Sequence, residues 1–209
     1  MTQNVLVTGG SGFIGSYLVK KLVNVGHNVT VLDNNSRGTA TRLHDISDKI
    51  NFIEGDIRDS SVVMDACKGI DIIFHLAYIN GTKNFYKLPH LILDVAFRGM
   101  INVLDACKIH KINSLFIASS SEVYQRALQI PTPEDVPLSI PDIQNPRYTY
   151  GGGKIAMELL AVHYATQFID RVVIFRPHNV YGADMGTDHV VPEFIERALS
   201  IDADQSSPQ

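Results

Sequence analysis

The sequence predicts a doubly wound α/β protein built on a parallel sheet, and three observations carry that reading. Short β-rich apolar runs alternate with helical stretches along most of the chain. The runs are continuously apolar, as strands covered on both faces are. A glycine-rich turn joins the first run directly to the first helical stretch.

The elements follow in order. NVLVTGG (4–10) is a strand, 12–25 a helix and HNVTVLD (27–33) the second strand. INFIEGD (50–56) and DIIFHLA (71–77) are strands flanking a short helix at 60–67. A long helix over 91–109 precedes the strand SLFIASS (114–120). A loop with prolines at 131, 133, 137, 141 and 146 leads into a glycine-bearing helix over 150–168, and RVVIFRP (171–177) is the last strand. Residues 1–182 thus form one nucleotide-binding domain, and 183–209 hold a helical segment, PEFIERALS, and a polar tail, DADQSSPQ.

Bulk composition narrows the function. The 45% apolar and 19% charged fractions are those of an ordinary globular protein. A net charge of -4 offers neither a basic face for nucleic acid nor a polybasic segment for an anionic membrane. No apolar run approaches the ~18 residues of a membrane span. The first strand starts by Asn4 without a basic leader, so the expected compartment is the cytoplasm. Cys67 and Cys107, each in the text DACK, read as small buried helix residues, and no metal set is expected.

At the amino end, VTGGSGFIGS places Gly9, Gly12 and Gly15 between strand and helix. Such glycines permit a tight turn and let backbone N–H groups reach a pyrophosphate at a helix N-terminus. Asp33 ends the second strand, where a carboxylate accepts ribose hydroxyls and repels a 2′-phosphate, favouring NAD; Arg37 stands nearby. Asp56 reads as an adenine-edge contact or as a helix N-cap. His75 reads as a packed strand histidine.

Towards the carboxyl end, Tyr150 and Lys154 are one helical turn apart and share a face. An ammonium beside a phenol favours the phenolate, so a lowered Tyr150 pKa and a general-base role are expected. Three glycines separate the pair, although each costs about 1 kcal/mol in a helix. Close approach of this helix to cofactor and substrate would explain them.

The fragments TGGSGFIG, LDN, GDIRD, HLA, NVLDAC, ASSSEVY, YGGGK and RPHNVYG together resemble the extended short-chain dehydrogenase/reductases, specifically their nucleotide-sugar epimerases, dehydratases and decarboxylases. The resemblance implies a Rossmann fold holding NAD along Gly9, Gly12, Phe13, Ile14 and Gly15, with Asp33, Asn34, Asp56, Ile57, Leu76 and Ala77 also on the cofactor. It implies oxidation at sugar C4, with Tyr150 as base, Lys154 on the nicotinamide ribose and Ser120 on the reacting oxygen. Ser121 and Asn179 would contact the nucleotide-sugar substrate. Glu122 would remove a C5 proton in a dehydratase or a C5 epimerase. A homodimer through the helices around 91–109 and 150–168 is also implied.

Departures from the pattern leave the subclass open. Ser121 stands where dehydratases carry an aspartate, Ala96 where an asparagine is usual, and Gln125 where a glycine follows VY. Gly153 removes a serine often found before the lysine. Chains of the family usually exceed 300 residues and end in a substrate domain that is largely absent here. Epimerase, dehydratase, decarboxylase and a non-catalytic NAD-binding protein therefore all remain as readings.

Overall fold

The computed structural model describes residues 1–127, 129–186 and 190–205, the side chains of residue 190 and of 201–205 excepted. Six strands form one sheet: β1 (Asn4–Thr8), β2 (Asn28–Asp33), β3 (Ile50–Glu54), β4 (Ile72–His75), β5 (Ser114–Ala118) and β6 (Arg171–Phe175). Their order is β3-β2-β1-β4-β5-β6 and every pairing is parallel. The order reverses between β1 and β4, the doubly wound topology expected from sequence. In such sheets ligands bind beyond the carboxyl ends of the strands, at the point of reversal.

The helices are α1 (Phe13–Asn24), α2 (Ser60–Ala66), α3 (Thr82–Lys87), α4 (Pro89–Asp94), α5 (Met100–His110), α6 (Thr149–Leu159) and α7 (Val190–Gln205). The stretch expected over 91–109 is continuous from α4 to α5 but carries a π turn at Val95–Gly99. A second π turn, Leu160–Tyr164, extends α6. Two features were not foreseen. The polar stretch Ala40–Lys49 forms 3-10 turns broken at Ile46, and the short α3 follows β4. The first is polar on average, with only Leu43 and Ile46 buried, and the second is six residues long, too short to show a period.

Both sheet faces are covered, which is why the strands lack polar alternation. Val5, Val7, Val29 and Val31 pack with Val19 of α1, while Leu6, Ile73, Leu115 and Ile117 pack with Met100 and Leu104 of α5 and Met157 of α6. Both cysteines are free and buried in the second layer, where burial pushes their thiols well above the usual range, Cys67 to about 12.

The chain divides into two compact units, Met1–His178 and Asn179–Gln209. In the second, α7 continues to Gln205, so its helix overruns the stretch expected at 192–200 and takes in part of the expected polar tail. Residues 206–209 of that tail lie outside the described residues. The helix exposes Val191, Phe194, Ile195 and Leu199, and Arg197 pairs with Glu193 one turn away. Among the described residues no helix is long and apolar enough to cross a membrane, and no cluster of three metal-ligating side chains occurs.

Candidate active site

Parallel strands bring the chemistry to one edge. Gly9 follows β1, Asp33 ends β2, Asp56 follows β3, Leu76 and Ala77 follow β4, and Ser119–Glu122 follow β5. Residues from five separated segments thus share the carboxyl edge of the sheet without any long loop to carry them.

The glycine turn is built for close approach. Gly9 has φ 74, and a Cβ on it would stand 2.7 Å from the Ala77 backbone nitrogen. A Cβ on Gly15 would stand 2.1 Å from the Gly9 carbonyl oxygen, so helix and strand touch by backbone. Gly12 caps α1 with no side-chain hydrogen bond and no acidic residue in the first turn, leaving amide donors and the positive helix end uncompensated. Phe13 and Ile14 open that helix, and Ile14 is 41% exposed despite being apolar. A pyrophosphate with an adjoining flat ring is the kind of ligand this cradle fits.

Asp33 is buried and accepts from the backbone amides of Ser11 (2.9 Å) and Asn35 (2.9 Å), tying the second strand to the glycine turn. Asn34 donates to Asp56 (3.0 Å). Asp56 is held mainly by Arg58, whose guanidinium and backbone amide both bond it, and this pushes its carboxyl down to about 2. The cap of α2 is Asp59, which accepts from Ser61 and Val62, so the N-cap alternative for Asp56 is corrected. Ile57 is buried under Gly99. Arg37 donates to the Asn80 carbonyl at 2.7 Å, which occupies it on the loop after β4. His75 is a packed strand residue, bonded to Thr8 at 2.8 Å, and burial pushes it down to about 3.

Tyr150 and Lys154 do share a face of α6, and both are buried. The expected lowering of Tyr150 is not what the structure shows. Burial pushes the phenol up, and the hydrogen bond with Ser120 only partly counteracts it. Burial likewise lowers Lys154 to about 7, with Glu158 opposing. Lys154 donates to the Ala118 carbonyl at 2.6 Å and lies 3.8 Å from the centre of the Tyr78 ring, but 5.9 Å from that of Tyr150. The ammonium is spent on the strand and on Tyr78, so desolvation outweighs its pull on the phenol.

The three glycines also have a different cause from the expected one. A Cβ on Gly151 would stand 2.6 Å from Gln125 Nε2, one on Gly152 3.2 Å from Ile140 Cδ1, and one on Gly153 2.2 Å from the Tyr78 hydroxyl. Side chains of this same chain fill the notches. Gln125 itself has φ 51, the left-handed conformation that a glycine takes without strain.

Ser120 caps the turn Ser121–Val123, its hydroxyl accepting from the Glu122 amide at 3.2 Å. The Glu122 carboxylate takes both its oxygens to Arg147, at 2.9 and 3.0 Å, and Arg147 stacks over Phe85. A cleft of about 910 Å³ opens beside them, lined among others by Ser121, Glu122, Tyr124, Arg147, Arg176 and His178. Behind it, Glu158 pairs with Arg176 at 2.6 Å and accepts from Ser119, while Arg176 also bonds Tyr124. Asn179 belongs to the second unit, where it is exposed.

Sequence reasoning missed Tyr78, Arg147 and the Glu158–Arg176 pair as parts of this site. Signals existed for two of them. Arg147 precedes Tyr150 by one helical turn, and Glu158 is the one acid on an otherwise apolar helix.

A doubly wound sheet with a glycine cradle at its reversal point, and a serine, tyrosine and lysine together at the same edge, defines a dinucleotide-binding protein of the short-chain dehydrogenase class. The NAD dependent epimerase/dehydratase family matches residues 5–205, and the chain belongs to it. It is 34% identical over 205 residues to a UDP-N-acetyl-alpha-D-glucosaminuronate decarboxylase of Bacillus cytotoxicus, covering 97% of this chain and 63% of the relative. It is also 34% identical over 205 residues to a UDP-glucose 4-epimerase of Mycolicibacterium smegmatis, covering 95% and 64%. Among solved structures, a UDP-glucose 4-epimerase of Thermus thermophilus in complex with NAD superposes with a TM-score of 0.82 at 29% identity, over 94% of this chain and 63% of that one. The chain thus spans less than two thirds of the length of these relatives.

Proposed function

We propose that the protein carrying this chain is an NAD-dependent nucleotide-sugar epimerase or dehydratase acting through transient oxidation at sugar C4. The observation that carries the reading is the placement of Ser120, Tyr150 and Lys154 at the carboxyl edge of β5, beside the glycine cradle. Gly9, Gly12, Gly15 and Asp33 would hold NAD, with Phe13, Ile14, Asn34, Asp56, Ile57, Leu76 and Ala77 lining its path. Bound there, NAD supplies the hydride acceptor.

The chain's own residues handle the proton. Tyr150 takes the C4 hydroxyl proton, Ser120 hydrogen-bonds the same oxygen, and Lys154 holds the neighbouring ribose. The carbonyl left at C4 acidifies the C5 hydrogen, and Glu122, held by Arg147 at the wall of the cleft, is the carboxylate placed to take it. Ser121 and Asn179 would contact the nucleotide sugar. A second reading, decarboxylation of a nucleotide-linked hexuronic acid, is favoured by the name of the Bacillus relative.

The helices α5 and α6 support a homodimer. Phe97 on the π turn before α5, Ile101 and Ile109 on α5, and Leu159, Val162 and Tyr164 on α6 or its extension are between 40% and 62% exposed. A face of that kind is a candidate interface. Sedimentation equilibrium tests it, and a monomer at micromolar concentration removes the claim.

The activity is tested by incubating the complete protein with NAD and a panel of UDP-, GDP-, dTDP- and CDP-linked hexoses and hexuronic acids, reading products by mass. Unchanged mass with altered retention identifies an epimerase, loss of water a dehydratase, and loss of carbon dioxide a decarboxylase. No reaction with any of them, despite NADH binding, leaves a cofactor-binding protein and overturns the proposal.

A further inference from the structure

One aromatic residue, Tyr78, meets Gly153, Lys154 and Tyr150 at once. Gly153 leaves a notch in α6, where an added Cβ would lie 2.2 Å from the Tyr78 hydroxyl and 3.0 Å from the Cβ of Ala96 on the π turn before α5. The Tyr78 phenol therefore fills the space that the missing Gly153 side chain leaves. Its ring face lies 3.8 Å from Lys154 Nζ, and it meets the Tyr150 ring edge-on with centres 5.3 Å apart. Its hydroxyl is buried without a hydrogen-bond partner. A tyrosine kept in such a place is kept for its ring, since its polar atom is unsatisfied there.

We propose that Tyr78 is a positioning residue of this site: its ring pins the Lys154 ammonium and braces Tyr150, and the Gly153 notch exists to admit its hydroxyl. The inference rests on the cofactor-holding part of the function proposed above and is independent of which sugar is used. A cation over an aromatic face in a dry setting is held by the ring quadrupole. Lys154 otherwise has one polar anchor, the Ala118 carbonyl, so the ring decides where the amine points. The groups facing it are Tyr78, Tyr150, His75 on the neighbouring strand and Glu158 further along its own helix.

The test uses NADH affinity by fluorescence titration, together with thermal melting, both at pH 6.5, below the value of about 7 to which burial lowers Lys154. Tyr78→Phe keeps the ring, and NADH affinity is expected to stay within about twofold of wild type. Tyr78→Leu keeps most of the volume but removes the quadrupole, and affinity is expected to fall about tenfold. Gly153→Ser is expected to lower the melting temperature in the wild type, where its Cβ meets the hydroxyl. In the Tyr78→Phe background the loss shrinks by at least half, because the 2.2 Å clash with the hydroxyl is gone and only the Ala96 Cβ at 3.0 Å, common to both backgrounds, and a ring carbon at 3.5 Å remain. Wild-type NADH affinity in a folded Tyr78→Leu protein overturns the pinning. An equal cost of Gly153→Ser in both backgrounds overturns the notch, and decides the matter alone should Tyr78→Leu fail to fold. If even the wild type fails to bind NADH, the cofactor reading falls, while the melting pair still judges the Tyr78 packing.

Discussion

Replacing Lys154 by methionine should make the protein more stable while abolishing its function. The residue is 2% exposed, and burial lowers its amine from 10.5 to about 7. At 1.36 kcal/mol for each tenfold step, keeping that charge buried at low pH costs about 5 kcal/mol. Methionine matches the length of the side chain but leaves the Ala118 carbonyl without its donor, at about 1–3 kcal/mol. The net expectation is a gain of about 2–4 kcal/mol at pH 6.5, read as roughly 5–15 °C in melting temperature for a chain this long. The pH dependence has a definite sign. Between pH 7 and 10.5 the unfolded lysine holds a proton that the folded one has released, so wild-type stability rises with pH through that window. The advantage of Lys154→Met is therefore greatest near pH 6.5 and falls by about 2–3 kcal/mol at pH 9. Urea melts of both proteins at the two pH values measure this directly. A variant that is less stable than wild type at pH 6.5, or a gap that does not narrow at pH 9, would show that the lysine is not the strained group described here.

Other perturbations separate scaffold from chemistry. Glu158→Gln breaks a pair in which the acid is buried, and should cost about 3–5 kcal/mol in a urea melt by leaving the Arg176 charge poorly matched. Gly15→Ala forces a Cβ against the Gly9 carbonyl, so NADH binding should be lost in fluorescence titration and stability should drop by about 1–3 kcal/mol. Arg147→Met removes a pair whose side chains are 30% and 37% exposed, so stability should change by less than about 1 kcal/mol. NADH affinity should be unchanged in that variant, while turnover of the identified nucleotide sugar falls because Glu122 loses its anchor; steady-state kinetics would show this.

The fold was legible because its signals are local and repeated. Continuous apolar runs such as Val5–Leu6–Val7 and Leu115–Phe116–Ile117 could only be strands covered twice, and the glycine triplet marked where the first helix had to start. The glycine turn was legible for the same reason, since Gly9, Gly12 and Gly15 sit in contiguous text. Pairings across the site were not. Nothing in the sequence joins Glu122 to Arg147, 25 residues apart, or Tyr78 to Gly153, 75 residues apart, because those contacts depend on which strand neighbours which. The protonation of Tyr150 was misjudged for a related reason. Helical spacing placed the lysine on the correct face, but only the packing shows the amine turned towards Ala118 and Tyr78.

The glycines of α6 show how such a site is held. Each looks like a defect of about 1 kcal/mol when the helix is taken alone. In the folded chain, Gly151 and Gly153 are the places where Gln125 and Tyr78 enter, one bonded to the Glu122 carbonyl and the other laid against Lys154. The cost is therefore borne next to the residues proposed to react, together with a buried lysine and a strained Gln125. A domain has only about 5–15 kcal/mol of net stability. This edge can be so unfavourable only because the valine and leucine layers on both faces of the sheet supply the surplus. Substitutions that relax the edge should then stabilise the chain, and substitutions in those layers should unfold it.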